Sequence, residues 1–260
     1  MKTKLMINKL KVGISNNNYL LLYKQNNYFL KKRDNHQITT TFDQKSIYNN
    51  LKNYPDSLKP IFINQNQNLI IYKYLQLQTI NIQNINNYII NIATKLKNFH
   101  LNQPLSANNF DIRDLFNKWQ INQPLYSLND FYYLFDDLNK YPLNSFCHND
   151  LILDNIIYYQ NQIQFIDFEY AANNYYMFDI VSFICENNLE NSELANTFIF
   201  HYLGINPDKN FMKEFEYFKK ISHLLWIQWA NYKYHYTNQQ IFKEIADDKY
   251  QRLINSEPLK

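Results

Sequence analysis

His148-Asn149-Asp150, then Asn155, then Phe165-Ile166-Asp167-Phe168-Glu169-Tyr170, then Asn174-Tyr175 and Phe178-Asp179-Ile180: this block carries the most information in the chain. It sets an Asp, an Asn and a second Asp at intervals of 5 and 12 residues. Phosphoryl transfer needs that inventory, one carboxylate to take a hydroxyl proton and two oxygen ligands for Mg²⁺ beside a nucleotide. The runs at 146–147, 156–159 and 163–166 read as short strands, with Gln160-Asn161-Gln162 as a hairpin turn between the last two. The candidate ligands then fall at strand ends, where loops present side chains and a sheet steadies them.

With 6 His, 15 Asp and 41 Asn in 260 residues, a chance His-x-Asp-x4-Asn match is expected roughly 0.05 times. Taken alone, such a match also fits a polar loop in an Asn-rich chain. The 167–180 run argues against that reading. Asn is the commonest residue, Lys outnumbers Arg and there are two Gly, so motifs are judged on Asp, Glu, His, Trp and Gly.

Working outward, 46% hydrophobic and 17% aromatic content suits a folded enzyme with a substantial core. A net charge of +3 with dispersed lysines gives no footprint for nucleic acid or an anionic membrane. Two cysteines, a start without an apolar signal core and no long apolar run together predict a reduced cytoplasm and no membrane insertion. The first 75 residues read as β-rich: strands at 19–23 and 28–32 around a Lys24–Asn27 turn, a helix over 42–51, and strands at 61–63 and 69–72. From Ile82 an apolar period of three and four predicts an amphipathic helix to about His100. A hinge is placed at 74–79, and helices are expected beyond Asp179, including a long one over 211–236.

At these residues the chain resembles the choline/ethanolamine kinases of the aminoglycoside phosphotransferase and choline kinase superfamily. The likeness is close over 146–186, looser over 8–250, and extends to Trp226-x-x-Trp229. It implies an α+β, protein-kinase-like bilobal fold, with a small antiparallel β lobe (1–75, nucleotide-binding) and a larger helical lobe (76–260, catalytic loop and choline pocket). It implies an ATP- and Mg²⁺-dependent choline kinase. Alternatives are ethanolamine kinase, another small amino-alcohol or aminoglycoside phosphotransferase, and a kinase-like choline-binding protein without catalysis. The acceptor is a small molecule, and monomer and homodimer stay open.

Asp150 is the expected base, Asn155 and Asp167 the metal ligands, and His148, Glu169 and Asp179 supporting residues. Phosphate contacts are assigned to Ser15 and Asn16, in the loop after Gly13, and to Lys31. Lys32 is the alternative, since neighbouring strand residues point to opposite faces. The helix glutamate expected to pair with the lysine is missing, with Ser46 at its place. Glu186 is expected to neutralise a cationic alcohol, and Trp226 and Trp229 to box it with their π-faces. Periodicity equally allows two core tryptophans. Tyr232, Tyr234 and Tyr236 are candidates to extend that wall, and Glu244, Asp247, Asp248 and Glu257 are the tail's acidic groups.

Overall fold

Residues 5–10, 13, 16–33, 42–54 and 57–256 are described by the structure, a computed structural model. The first elements are β1 (Met6–Leu10), β2 (Asn17–Tyr23), β3 (Asn26–Lys32), α1 (Gln44–Asn50), β4 (Phe62–Ile63) and β5 (Leu69–Lys73). The strands form one antiparallel sheet in the order β1-β2-β3-β5-β4. The β2–β3 turn is two residues, not four: Tyr23 pairs with Asn26, and Lys24 and Gln25 adopt φ +47° and +64°. Two left-handed residues match the right-handed twist of the flanking strands.

The second set comprises β6 (Gln78–Thr79), α2 (Ile89–Asn102), α3 (Ile112–Lys118), β7 (Ser145–Cys147), β8 (Ile156–Tyr159), β9 (Gln162–Phe165) and β10 (Ala172–Asn174). Four helices follow: α4 (Met177–Glu186), α5 (Glu193–Leu203), α6 (Lys209–Thr237) and α7 (Gln240–Ile254). β6, β8 and β9 make one small antiparallel sheet and β7 with β10 another. This is the α+β, protein-kinase-like fold, a β lobe followed by a mainly helical one.

Helix α2 begins seven residues later than the periodicity predicts. Asn81 accepts from the amides of Gln83 and Asn84 through its side chain and from Ile85 through its carbonyl. Such local bonds compete with helix nucleation. A 3₁₀ turn at Ile85–Asn87 follows, and Ile82 is exposed. The apolar stripe itself holds: Ile85, Ile89, Ala93, Leu96 and Phe99 are buried.

Phe99 joins that stripe to the strands carrying the site. Its ring centroid lies 5.8 Å from Phe146, 5.9 Å from Phe165 and 6.0 Å from Phe168. Burying such a ring contributes about 1.5–3 kcal/mol. The long helix α6 starts at Asp208, whose carboxylate accepts from the Phe211 amide at 2.8 Å, and ends at left-handed Asn238.

Candidate active site

Nine of the ten α4 residues are buried. Asp179, near its start, is wholly buried and accepts the backbone N–H groups of His148 and Asn149, each at 2.7 Å. One turn on, Ser182 Oγ accepts from the Leu151 amide at 3.1 Å. Just past the helix, Asn187 Oδ1 accepts from Leu153 at 2.8 Å. The loop that carries Asp150 is thus fastened by its backbone donors, which would otherwise be costly to bury. His100 of α2 lies 2.9 Å from Asp179 and braces it from the other side. Asp179 is an anchor of the loop.

His148 holds the loop too. Its Nε2 donates to the Ile166 carbonyl at 2.8 Å, which ties the loop to the end of β9, and burial lowers its pKa. Asn149 (φ +64°) and Asp167 (φ +61°) sit in the left-handed region, directly before Asp150 and after Ile166. Such conformations persist in non-glycine residues where surroundings enforce them. The Asn149 side chain supplies that enforcement, donating to the Tyr170 carbonyl at 2.9 Å and accepting from Asn174 at 2.8 Å.

Asn155 donates to the Asp150 carbonyl at 2.9 Å and to Asp150 Oδ2 at 3.1 Å. Its amide nitrogen is thereby turned to Asp150, leaving the carbonyl oxygen as the ligand it offers. Asp167, whose side chain is 35% exposed, meets Lys31 Nζ through Oδ1 at 2.5 Å. Burial, and then the carboxylates of Asp167, Glu169 and Glu186, push the Asp150 pKa up to about 8 against the lowering bond from Asn155. One carboxylate held near neutrality among others is the condition of a general base.

On the β lobe, Lys31 is buried and faces Asp167 and Glu169, whereas Lys32 is exposed. Lys31 Nζ also reaches Glu169 Oε2 at 2.9 Å. Burial pulls its pKa down, and the two carboxylates more than reverse this. Glu169 therefore gives Lys31 the carboxylate that α1 lacks. Ser46 is turned elsewhere, its Oγ meeting Asn108 Nδ2 at 3.4 Å. From the loop before β2, Asn16 Nδ2 donates to Glu169 Oε2 at 3.3 Å. Ser15 lies outside the described residues.

Asp150, Glu169, Glu186, Trp226 and Trp229 line one cavity of about 440 Å³. Trp226 and Trp229 are both buried and both part of the cavity wall, so packing in the core and lining the cavity are compatible. Their rings stand at 89° with centroids 5.8 Å apart. Behind them Trp119 stacks on Trp226 at 6.2 Å and Phe242 meets Trp229 edge-on at 5.4 Å. The expected tyrosine extension is different: Tyr232, Tyr234 and Tyr236 are not in the wall, and Tyr232 packs on Tyr236 instead. Their place is taken by Tyr170, edge-on to Trp226 at 5.7 Å. Tyr170 follows Glu169 directly, and that adjacency was its sequence signal. Lys249 and Arg252 of α7 also line the cavity, and no motif marked them.

The choline/ethanolamine kinase family matches residues 7–253 of the chain. Over 81 residues it is 40% identical to "Probable ethanolamine kinase B" of Dictyostelium discoideum, covering 27% of the chain and 18% of that protein. Over 160 residues it is 25% identical to "Protein LicA" of Haemophilus influenzae, covering 55% of the chain and 59% of the relative. These matches thus span less than two thirds of the relatives' own lengths. The crystal structure of choline kinase LicA from Streptococcus pneumoniae superposes with a TM-score of 0.81 at 20% identity, over 96% of this chain and 92% of that one.

Proposed function

The chain belongs to the choline/ethanolamine kinase family, and from that premise we propose that it transfers the γ-phosphate of ATP to the hydroxyl of choline. Ethanolamine is the nearest alternative acceptor. The reading rests on one observation: the carboxyl of Asp150 with its raised pKa, the carboxylate of Glu186 and two perpendicular tryptophans share a single cavity. Residues 1–75 serve as the nucleotide lobe and 76–260 as the catalytic and substrate lobe. Among the described residues no helix is long and apolar enough to cross a membrane, and the site of action is read as cytoplasmic.

In this mechanism the cation of the alcohol enters against Trp226 and Trp229, near Glu186. Its hydroxyl points to Asp150, which orients it and accepts its proton as the γ-phosphoryl group departs from ADP. Asn16 and Lys31 hold the nucleotide phosphates, with Ser15 beside them in sequence. Asn155 and Asp167 offer hard oxygen donors fitted to Mg²⁺, Asn155 with its amide nitrogen already engaged. Bound there, the metal supplies positive charge against the phosphates and against the carboxylates that raise Asp150. Tryptophan walls and the buried loop keep bulk water from competing with the alcohol.

A binding protein without catalysis had one feature in its favour, the missing helix glutamate. The Lys31–Glu169 pair removes that support. An assay of ADP release with choline, ethanolamine, thiamine and an aminoglycoside in turn tests the proposal. Choline is expected to give the highest kcat/KM, and turnover of only the aminoglycoside would reject the assignment.

A further inference from the structure

Glu186 does not face the cavity unpaired. Lys249, from α7, places Nζ 2.6 Å from its Oε1 and 2.5 Å from its Oε2. The two side chains are 10% and 14% exposed for Lys249 and Glu186 respectively, so water screens the pair little. The remaining cavity carboxylates are differently placed. Glu244 and Asp248 stand exposed at the mouth, and Asp248 accepts from Arg252 Nε at 2.9 Å. Glu169 is taken by Lys31 and Asn16, and Asp150 by Asn155 and the proposed hydroxyl.

We propose that Lys249 is the specificity-determining residue: by holding both oxygens of Glu186, it makes the cavity select a trimethylammonium head over a primary ammonium. This inference rests on the amino-alcohol kinase reading above. A primary ammonium brings three N–H donors, and each loses water on entry and needs an acceptor. With the Lys249 ammonium already engaging both oxygens of Glu186, the deep wall offers the incoming one mainly aromatic surface instead. A trimethylammonium head has no N–H donor to satisfy, and its spread charge is suited to the faces of Trp226 and Trp229. The Glu186–Lys249 pair is neutral overall, so its Coulomb effect on either cation is small and cancels in their ratio. What differs between the two heads is hydrogen bonding to Glu186.

The test compares wild type, Lys249→Met and Lys249→Gln by two readouts. One is the choline-to-ethanolamine ratio of kcat/KM. The other needs no chemistry: Kd values for tetramethylammonium and methylammonium from tryptophan fluorescence, since Trp119, Trp226 and Trp229 are grouped at the cavity. Releasing Glu186 should lower both ratios about tenfold, the value of one hydrogen bond to a charged group, through a gain for the primary ammonium. The glutamine variant should move them the same way, so a folding defect in one variant leaves the test standing. Unchanged or increased ratios would overturn the role of Lys249. A shifted Kd ratio in a protein that phosphorylates neither alcohol would instead sink the kinase reading and leave the role of Lys249 intact.

Discussion

Lys31 of β3 donates to Glu169 across the cleft at 2.9 Å, joining the β lobe to the segment just after β9. Lys31 thereby has a carboxylate partner from the helical lobe, where the resemblance led one to expect it from helix α1. The same lysine bonds Asp167, so one ammonium joins the proposed nucleotide contact to the proposed metal ligand.

Glu169→Gln should therefore injure nucleotide use more than alcohol binding. The lysine keeps Asp167 but loses its buried second partner, and breaking a buried pair costs about 3–5 kcal/mol in pair energy and stability together. The expected result is a rise of roughly tenfold or more in the ATP KM with the choline KM within about twofold. Steady-state kinetics in both substrates checks it.

Asp150→Asn should stabilise the ligand-free protein as it inactivates it. The folded pKa is raised to about 8 from an ordinary 3.8, so between those values the native state binds the proton more tightly than the unfolded chain. Stability from this group is thus greatest at low pH and is lost as pH rises towards 8. The variant escapes that loss. Its Tm advantage over wild type should be near zero at pH 4 and grow to at least ~2 °C by pH 8.5, as differential scanning would show.

Trp229→Ala should raise the choline KM roughly 2- to 30-fold, the range of one cation–π contact of about 0.5–2 kcal/mol, and the ethanolamine KM less. Equal increases would mean that the ring fills space and nothing more.

Asp179→Ala would leave the amides of His148 and Asn149 buried without their acceptor. A destabilisation of about 3 kcal/mol or more is expected, a drop of roughly 6–12 °C in Tm. Asp179→Asn keeps one acceptor oxygen and should lose less.

The catalytic block was legible because its parts are close in sequence and its chemistry needs Asp, Asn and His at fixed intervals. Asp150, Asn155, Asp167 and the anchor Asp179 emerge from 30 consecutive positions. Seven of the described strands were legible for a similar local reason, short apolar runs between turn residues, whereas β1, β6 and β10 were not. Other features depend on contacts that local pattern does not encode. The start of α2 was decided by Asn81, one asparagine among 41. Which lysine faces the cleft followed from strand register, and the partner of Lys31 came from 138 residues away. The Glu186–Lys249 clasp joins positions 63 apart on two helices, and nothing local marked Lys249 among the other lysines of the chain. Tryptophan spacing fitted core and pocket alike, and only the fold showed both uses.

The central claim is that Asp150 removes the proton of an amino-alcohol hydroxyl in a cavity walled by Trp226 and Trp229. Choline-dependent ADP formation, measured beside nucleotide binding for wild type and Asp150→Asn, tests it most directly. Turnover with choline is expected to fall at least ~100-fold in the variant, while the nucleotide Kd stays within about threefold. Undiminished turnover in Asp150→Asn, or none with choline or ethanolamine in wild type that binds ATP, would contradict it.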